Sequence, residues 1–131
     1  MKRVVLMALV VALGAMLCGS GMPIDQPKGS VSTIGVEEFA KIIKHKNVLL
    51  IDVRTPKEFA EEHLERAENI DVKAPDFAEK IKGIKGKVAV YCRSGKRSHD
   101  AANQLAAQGC TVYDLSGGII AWKHYGKPTT K

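Results

Sequence analysis

Between Val31 and Tyr125, short apolar runs alternate with stretches whose apolar residues recur every three or four positions. Val36, Phe39, Ala40 and Ile43 stand at i, i+3, i+4 and i+7 and predict one face of a helix. Val48 to Ile51 is an unbroken apolar run closed by Asp52, which predicts a strand buried on both faces. Pro56 opens a second helical stretch, PKEFAEEHL, at a first-turn position that suits proline. Ala67 to Ile70 is a short strand candidate, and Asp76 predicts the cap of a third helix with Phe77, Ile81 and Ile84 inward. Val88 to Tyr91 is another wholly apolar strand. The Ala-rich stretch Ser98 to Gln108 predicts a helix that Gly109 stops. Thr111 to Leu115 predicts the next strand, and a last helix follows Gly117 and Gly118 with Ile119, Ile120 and Trp122.

Apolar strands separated by helices predict an α/β fold: a small open parallel sheet of about five strands with helices on both faces. Sites in such sheets form at the carboxyl ends of the strands. Two segments fall there, Asp52-Val53-Arg54 and the stretch from Cys92 to Ser98.

The first residues do not fit this pattern. Lys2 and Arg3 precede an uncharged run from Val4 to Leu17, followed by Cys18, Gly19, Ser20 and Gly21. That layout predicts a signal peptide over 1–21, since a membrane span needs about 20 apolar residues. Cys18 raises lipidation as an alternative, although the large Leu17 precedes it, and an uncleaved anchor is a third. Residues 22–30, rich in Gly and Pro, predict a linker, which leaves 31–131 as one domain. The protein is therefore expected to be exported to the periplasm, meeting a membrane only if the N-terminus is retained or lipidated.

Charge excludes little else. The net charge is +6; without Lys2 and Arg3, 18 basic residues face 14 acidic ones. The basic residues are scattered, which argues against a nucleic-acid face. Cys92 and Cys110 form no CxxC and belong to no ligand cluster, so neither a metal nor a cofactor is expected.

Cys92 follows an apolar strand and precedes a helix, the place where cysteine chemistry can be tuned. The thiolate is the nucleophile, and a free thiol has a pKa of about 8.5. A helix N-terminus offers unpaired N–H groups, and Arg93, Lys96 and Arg97 add positive charge. Gly95 lets the backbone curl so that several N–H groups face one anion. Cys110, without cationic neighbours, reads as a small buried hydrophobe. Gly95-Lys96 is not a phosphate-binding P-loop, because Arg97 stands where Ser or Thr is needed. Four residues separate Cys92 from Arg97, one fewer than in cysteine phosphatases.

The loop YCRSGKRS resembles the active-site loop of the rhodanese family. LLIDVRTPKEFAEEHLERAENI is similar to that family's first signature, and VYDLSGGIIAW to its second; together they cover roughly Val31 to Tyr125. The resemblance implies that Cys92 is catalytic and becomes a persulfide, and that Arg93, Ser94, Gly95, Lys96, Arg97 and Ser98 bind the donor. It implies that Asp52 and Arg54 form a bracing ion pair and that His63 is a hydrogen-bonded structural histidine. The six residues from Cys92 to Arg97 go with sulfur chemistry, and a loop longer by one with phosphate or arsenate. Glycines usual before the histidine and near Arg66 are replaced by Glu62 and Arg66 themselves, which bears on that turn and not on the loop.

The implied activity is that of a thiosulfate sulfurtransferase with a small anionic sulfur donor and a thiol, protein or cyanide acceptor. A persulfide carrier or binding module is the alternative, and a phosphatase or arsenate reductase a weaker one that the loop length disfavours. Cys92 and Cys110 are expected on opposite edges of the sheet, too far apart for a disulfide.

Overall fold

The computed structural model describes residues 29–131; the predicted signal segment, Cys18 and most of the predicted linker lie outside the described residues. Five strands and five helices alternate: β1 Ser30–Ile34, α1 Val36–Ile42, β2 Val48–Asp52, α2 Pro56–Glu61, β3 Glu68–Asn69, α3 Phe77–Ile81, β4 Lys87–Tyr91, α4 Lys96–Ala107, β5 Thr111–Leu115 and α5 Gly118–His124. The strands form one sheet in the order β1-β5-β4-β2-β3, and every pairing is parallel.

Side-chain alternation divides the core into two layers. Val88 and Val90 of β4 pack with Ala101, Ala102 and Leu105 of α4 and with Phe77 and Ile81 of α3. Ala89 and Tyr91 face the other way, onto Phe39 of α1 and Ile119 and Trp122 of α5. Both faces of β2 and β4 are thus covered, which is why their sequences are unbroken apolar runs rather than alternating ones.

The sequence pattern misplaces several details. β1 escapes it because this edge strand is mostly exposed and carries three hydroxyl-bearing or small polar residues among five. It begins at Ser30, and Gly29 already donates its N–H to Ala106 O at 2.9 Å, so the fold starts slightly ahead of Val31. Asp76 occupies the position before α3 without a side-chain cap, since its backbone is not extended (φ −100°, ψ 17°). Helix α3 ends at Ile81, and Ile84 packs on the core from the loop beyond. Helix α2 stops at Glu61, and its N-terminus is closed by a capping box between Thr55 and Glu58. Helix α4 starts at Lys96, two residues before Ser98, so two cations occupy its first turn.

Candidate active site

Cys92 continues the alternation of β4 one step past its end. It therefore lies on the α4 face with Val88 and Val90, directly beneath the start of α4. The residue is 1% exposed, while Arg93, Ser94 and Lys96 form an exposed rim above it. The loop curls through Gly95 at φ 109°, and the Gly95 N–H donates to Cys92 Sγ at 3.1 Å. Only a residue without Cβ takes that conformation at little cost. On its other side the thiol donates to Ser98 Oγ at 3.5 Å.

Helix α5 holds the base of the loop. Ile119 N donates to Cys92 O at 2.9 Å and Ile120 N to Arg93 O at 3.2 Å. This close approach requires Gly118, whose φ is 62° and whose missing Cβ would press into Arg93 O and lie 2.6 Å from Cys92 O. The double glycine is thus a packing requirement of the cysteine loop as much as a turn.

The first turn of α4 holds Lys96 and Arg97 and no acidic residue, the reverse of what the helix dipole favours. The geometry resolves half of that conflict internally. Arg97 donates through Nη1 and Nη2 to Glu58 Oε1 and Oε2 at 2.8 and 3.0 Å. Glu58 also closes the α2 capping box, accepting from Thr55 N at 3.2 Å. The Arg97 hydrogen bonds, together with those of Thr55, hold its carboxyl at about 2, against an ordinary 4.5. A carboxyl depressed in the fold stabilises it fully above pH 4.5, and this contribution fades as pH falls toward 2. Glu58→Gln should therefore unfold at lower urea than the wild type at pH 7, and the gap should close near pH 2.

Asp52 and Arg54 form a buried fork beside the loop. Arg54 Nη2 donates to Asp52 Oδ2 at 2.7 Å, Arg54 Nε and N both donate to Oδ1, and Arg54 Nη2 also reaches Glu62 O at 2.7 Å. Burial alone would lower the guanidinium pKa, but the Asp52 hydrogen bond and charge leave it raised. Asn69 Nδ2 ties the carbonyls of Asp52 and Arg54 together at 3.0 and 2.8 Å. Val53 N donates to Tyr91 O at 3.0 Å, which links this brace to the residue before Cys92. His63 stacks on Phe59, donates from Nδ1 to Phe59 O at 2.8 Å and pairs by its backbone with Thr130.

Cys110 lies level with Gly86, one position before the Thr111–Lys87 pair, and Cys92 is six positions further along β4. At about 3.3 Å per residue they are roughly 20 Å apart, far beyond a disulfide's reach. Both cysteines are free, and burial raises the Cys110 thiol, which donates to Ile84 O at 3.3 Å.

The profile of the rhodanese-like domain matches residues 35–125, which takes in the Asp52 brace, the cysteine loop and the double glycine. The chain belongs to the rhodanese-like domain family. An uncharacterized protein of Synechocystis is 35% identical over 101 residues, covering 76% of this chain and 56% of that protein, so the chain spans little more than half of that relative. A sulfurtransferase of Allochromatium vinosum is 38% identical over 84 residues, 63% of this chain and 78% of that one. The crystal structure of a rhodanese-related protein from Thermoplasma volcanium matches with a TM-score of 0.67 at 30% identity, covering 75% of this chain and 96% of that one.

Within this rhodanese-like domain the two replaced glycines behave differently. Glu62 is extended (φ −172°) and needs no glycine. Arg66 keeps the left-handed conformation at φ 70°, at a cost of about 1 kcal/mol, and its guanidinium donates to Ile43 O at 2.7 Å. Three residues of the rhodanese-like site escape a residue-by-residue reading of the chain: Glu58, Asn69 and Asp114. Asp114 alone could have been noticed, as a charge at a core-facing position of β5.

A cleft of about 240 Å³ opens beside the rim between Arg54, Glu58, Glu62, Arg93, Ile120 and Lys123. A larger hollow of about 320 Å³, lined by Ile43, Leu64, Trp122 and Pro128 among others, contains none of the loop residues, so volume alone does not mark the site.

Proposed function

We propose that this rhodanese-like domain is a sulfurtransferase that takes sulfane sulfur from thiosulfate, or a similar anionic donor, onto Cys92 as a persulfide. The observation that carries the reading is the Gly95 N–H held 3.1 Å from Cys92 Sγ, at the head of a helix whose first turn is cationic. The Cys92 thiolate attacks the donor's outer sulfur. A new S–S bond forms, the old one breaks, and sulfite leaves with its electron pair. A thiol or cyanide then attacks the outer persulfide sulfur, and the Cys92 thiolate departs. The Gly95 N–H aimed at the sulfur stabilises the charge in both steps.

Arg93 and Lys96, exposed on the rim, are the residues proposed to hold the anion. Arg97 was expected to do the same, but its guanidinium is engaged by Glu58, so its part in this mechanism is to set the start of α4 and to keep a positive charge near Cys92. Ile120, 46% exposed beside Arg93, favours a protein acceptor docking at the rim. Export is proposed on the run Val4 to Leu17, and N-terminal sequencing of the native protein tests it.

The deciding experiment combines a thiosulfate:cyanide assay with peptide mass spectrometry. One added sulfur mass on the Cys92 peptide, removed by cyanide with turnover, is the expected result. A persulfide that forms but turns over only with a protein acceptor indicates a carrier. Hydrolysis of aryl phosphate at a rival rate would overturn the sulfur assignment.

A further inference from the structure

Asp114 stands where the alternation of β5 calls for an apolar side chain. Val112, two residues earlier, packs in the core against α4, and Asp114 shares its face at 2% exposure. The register places it opposite Val90, two residues before Cys92. Ser98 Oγ donates to Asp114 Oδ1 at 2.6 Å, Thr33 Oγ1 of β1 reaches Oδ2 at 3.5 Å, and His99 Nδ1 of α4 lies 3.5 Å from Oδ2. Burial pushes this carboxyl's pKa up, against the pull of those partners. Beside Ser98 Oγ, at 3.5 Å, is the sulfur of Cys92.

Ser98 has one hydroxyl proton and three acceptors around it: Asp114, the Gly95 carbonyl at 3.2 Å and the sulfur. At 2.6 Å an ionised Asp114 commands that proton, and Ser98 then offers the sulfur only a lone pair. A lone pair accepts from S–H and repels a thiolate. Once Asp114 is protonated the chain reverses: its O–H donates to Ser98, and the hydroxyl turns its own proton toward the sulfur.

We propose that Asp114, acting through Ser98, is a positioning residue that sets the ionisation of Cys92. Ionised, it holds the sulfur as a neutral thiol; protonated, it stabilises the sulfur anion. The proposal rests on the reading of Cys92 as the nucleophile. The thiol proton leaves to solvent and a solvent proton enters Asp114, so the pair keeps one negative charge. Thr33, Ser94, His99 and Ser116 line an opening of about 220 Å³ next to Asp114 through which that proton can come. Two other charges act on the pair: Arg97 near the sulfur favours the thiolate, and a protonated His99 favours the ionised carboxylate.

The test is the pH dependence of Cys92 alkylation by iodoacetamide, read on its own peptide so that Cys110 does not contribute. Asp114→Asn keeps the size and a hydrogen-bond acceptor for Ser98 but removes the charge. Its alkylation midpoint should fall by about one pH unit or more, which makes Cys92 about fivefold faster or more one unit below the wild-type midpoint. The same shift should survive in a His99→Gln background. A midpoint that stays or rises overturns the proposal. Iodoacetamide requires no sulfur donor, so a protein that never forms a persulfide would refute the sulfurtransferase reading without touching this result. Should the variant fail to fold, the wild-type Asp114 carboxyl is followed by ¹³C NMR. A second inflection at the Cys92 midpoint, lost after alkylation, is expected; a single inflection rejects the coupling.

Discussion

Cys92→Ser should leave a folded protein that moves no sulfur. A serine hydroxyl stays protonated at neutral pH, so it cannot supply the anion that attacks a sulfane sulfur, and it cannot hold one as a persulfide. The expected loss in the thiosulfate:cyanide assay is at least about a thousandfold, with no added sulfur on the peptide. Stability should change little, by about 1 kcal/mol, because the new hydroxyl inherits the Gly95 N–H and Ser98 Oγ as partners. Thermal unfolding beside the assay separates the two effects. A rate within tenfold of the wild type would remove Cys92 from the mechanism.

Arg54→Met should cost the domain about 3–5 kcal/mol, the usual result of stripping one partner from a buried ion pair. Asp52 and Arg54 are 0% and 4% exposed, so the stranded carboxylate cannot recover its lost hydrogen bonds from water. Small domains are stable by only about 5–15 kcal/mol, so the urea midpoint should fall by roughly a fifth or more. Sulfur transfer should fall as well, since Val53, between the two charges, bonds to Tyr91 O next to Cys92. Pairing the change with Asp52→Leu should restore part of the stability, because removing both charges leaves none unpaired. A midpoint unchanged in Arg54→Met would show that the fork is solvated.

The departures in the turn after α2 show how far local patterns carry. Arg66 adopts the left-handed conformation that the family serves with glycine, whereas Glu62 has no such need. Both are unusual by comparison with the family, and backbone angles alone distinguish a strained replacement from a neutral one.

The sequence by itself determined the buried strands β2 and β4, because a strand covered on both faces reads as a nearly unbroken apolar run. It also determined the cysteine loop, because a strand end, a small flexible turn and a cationic helix start are neighbours along the chain. Only the tertiary structure decided which side chains serve that loop. Glu58 reaches Arg97 across 39 positions, Asp114 reaches Ser98 across 16, and Gly118 admits α5 to the Cys92 carbonyl. Periodicity records which face a residue takes; the neighbour on that face depends on strand order and register, which place β4 between β2 and β5. Arg97, read along the chain as a free cation for the donor, is for that reason a paired one in space.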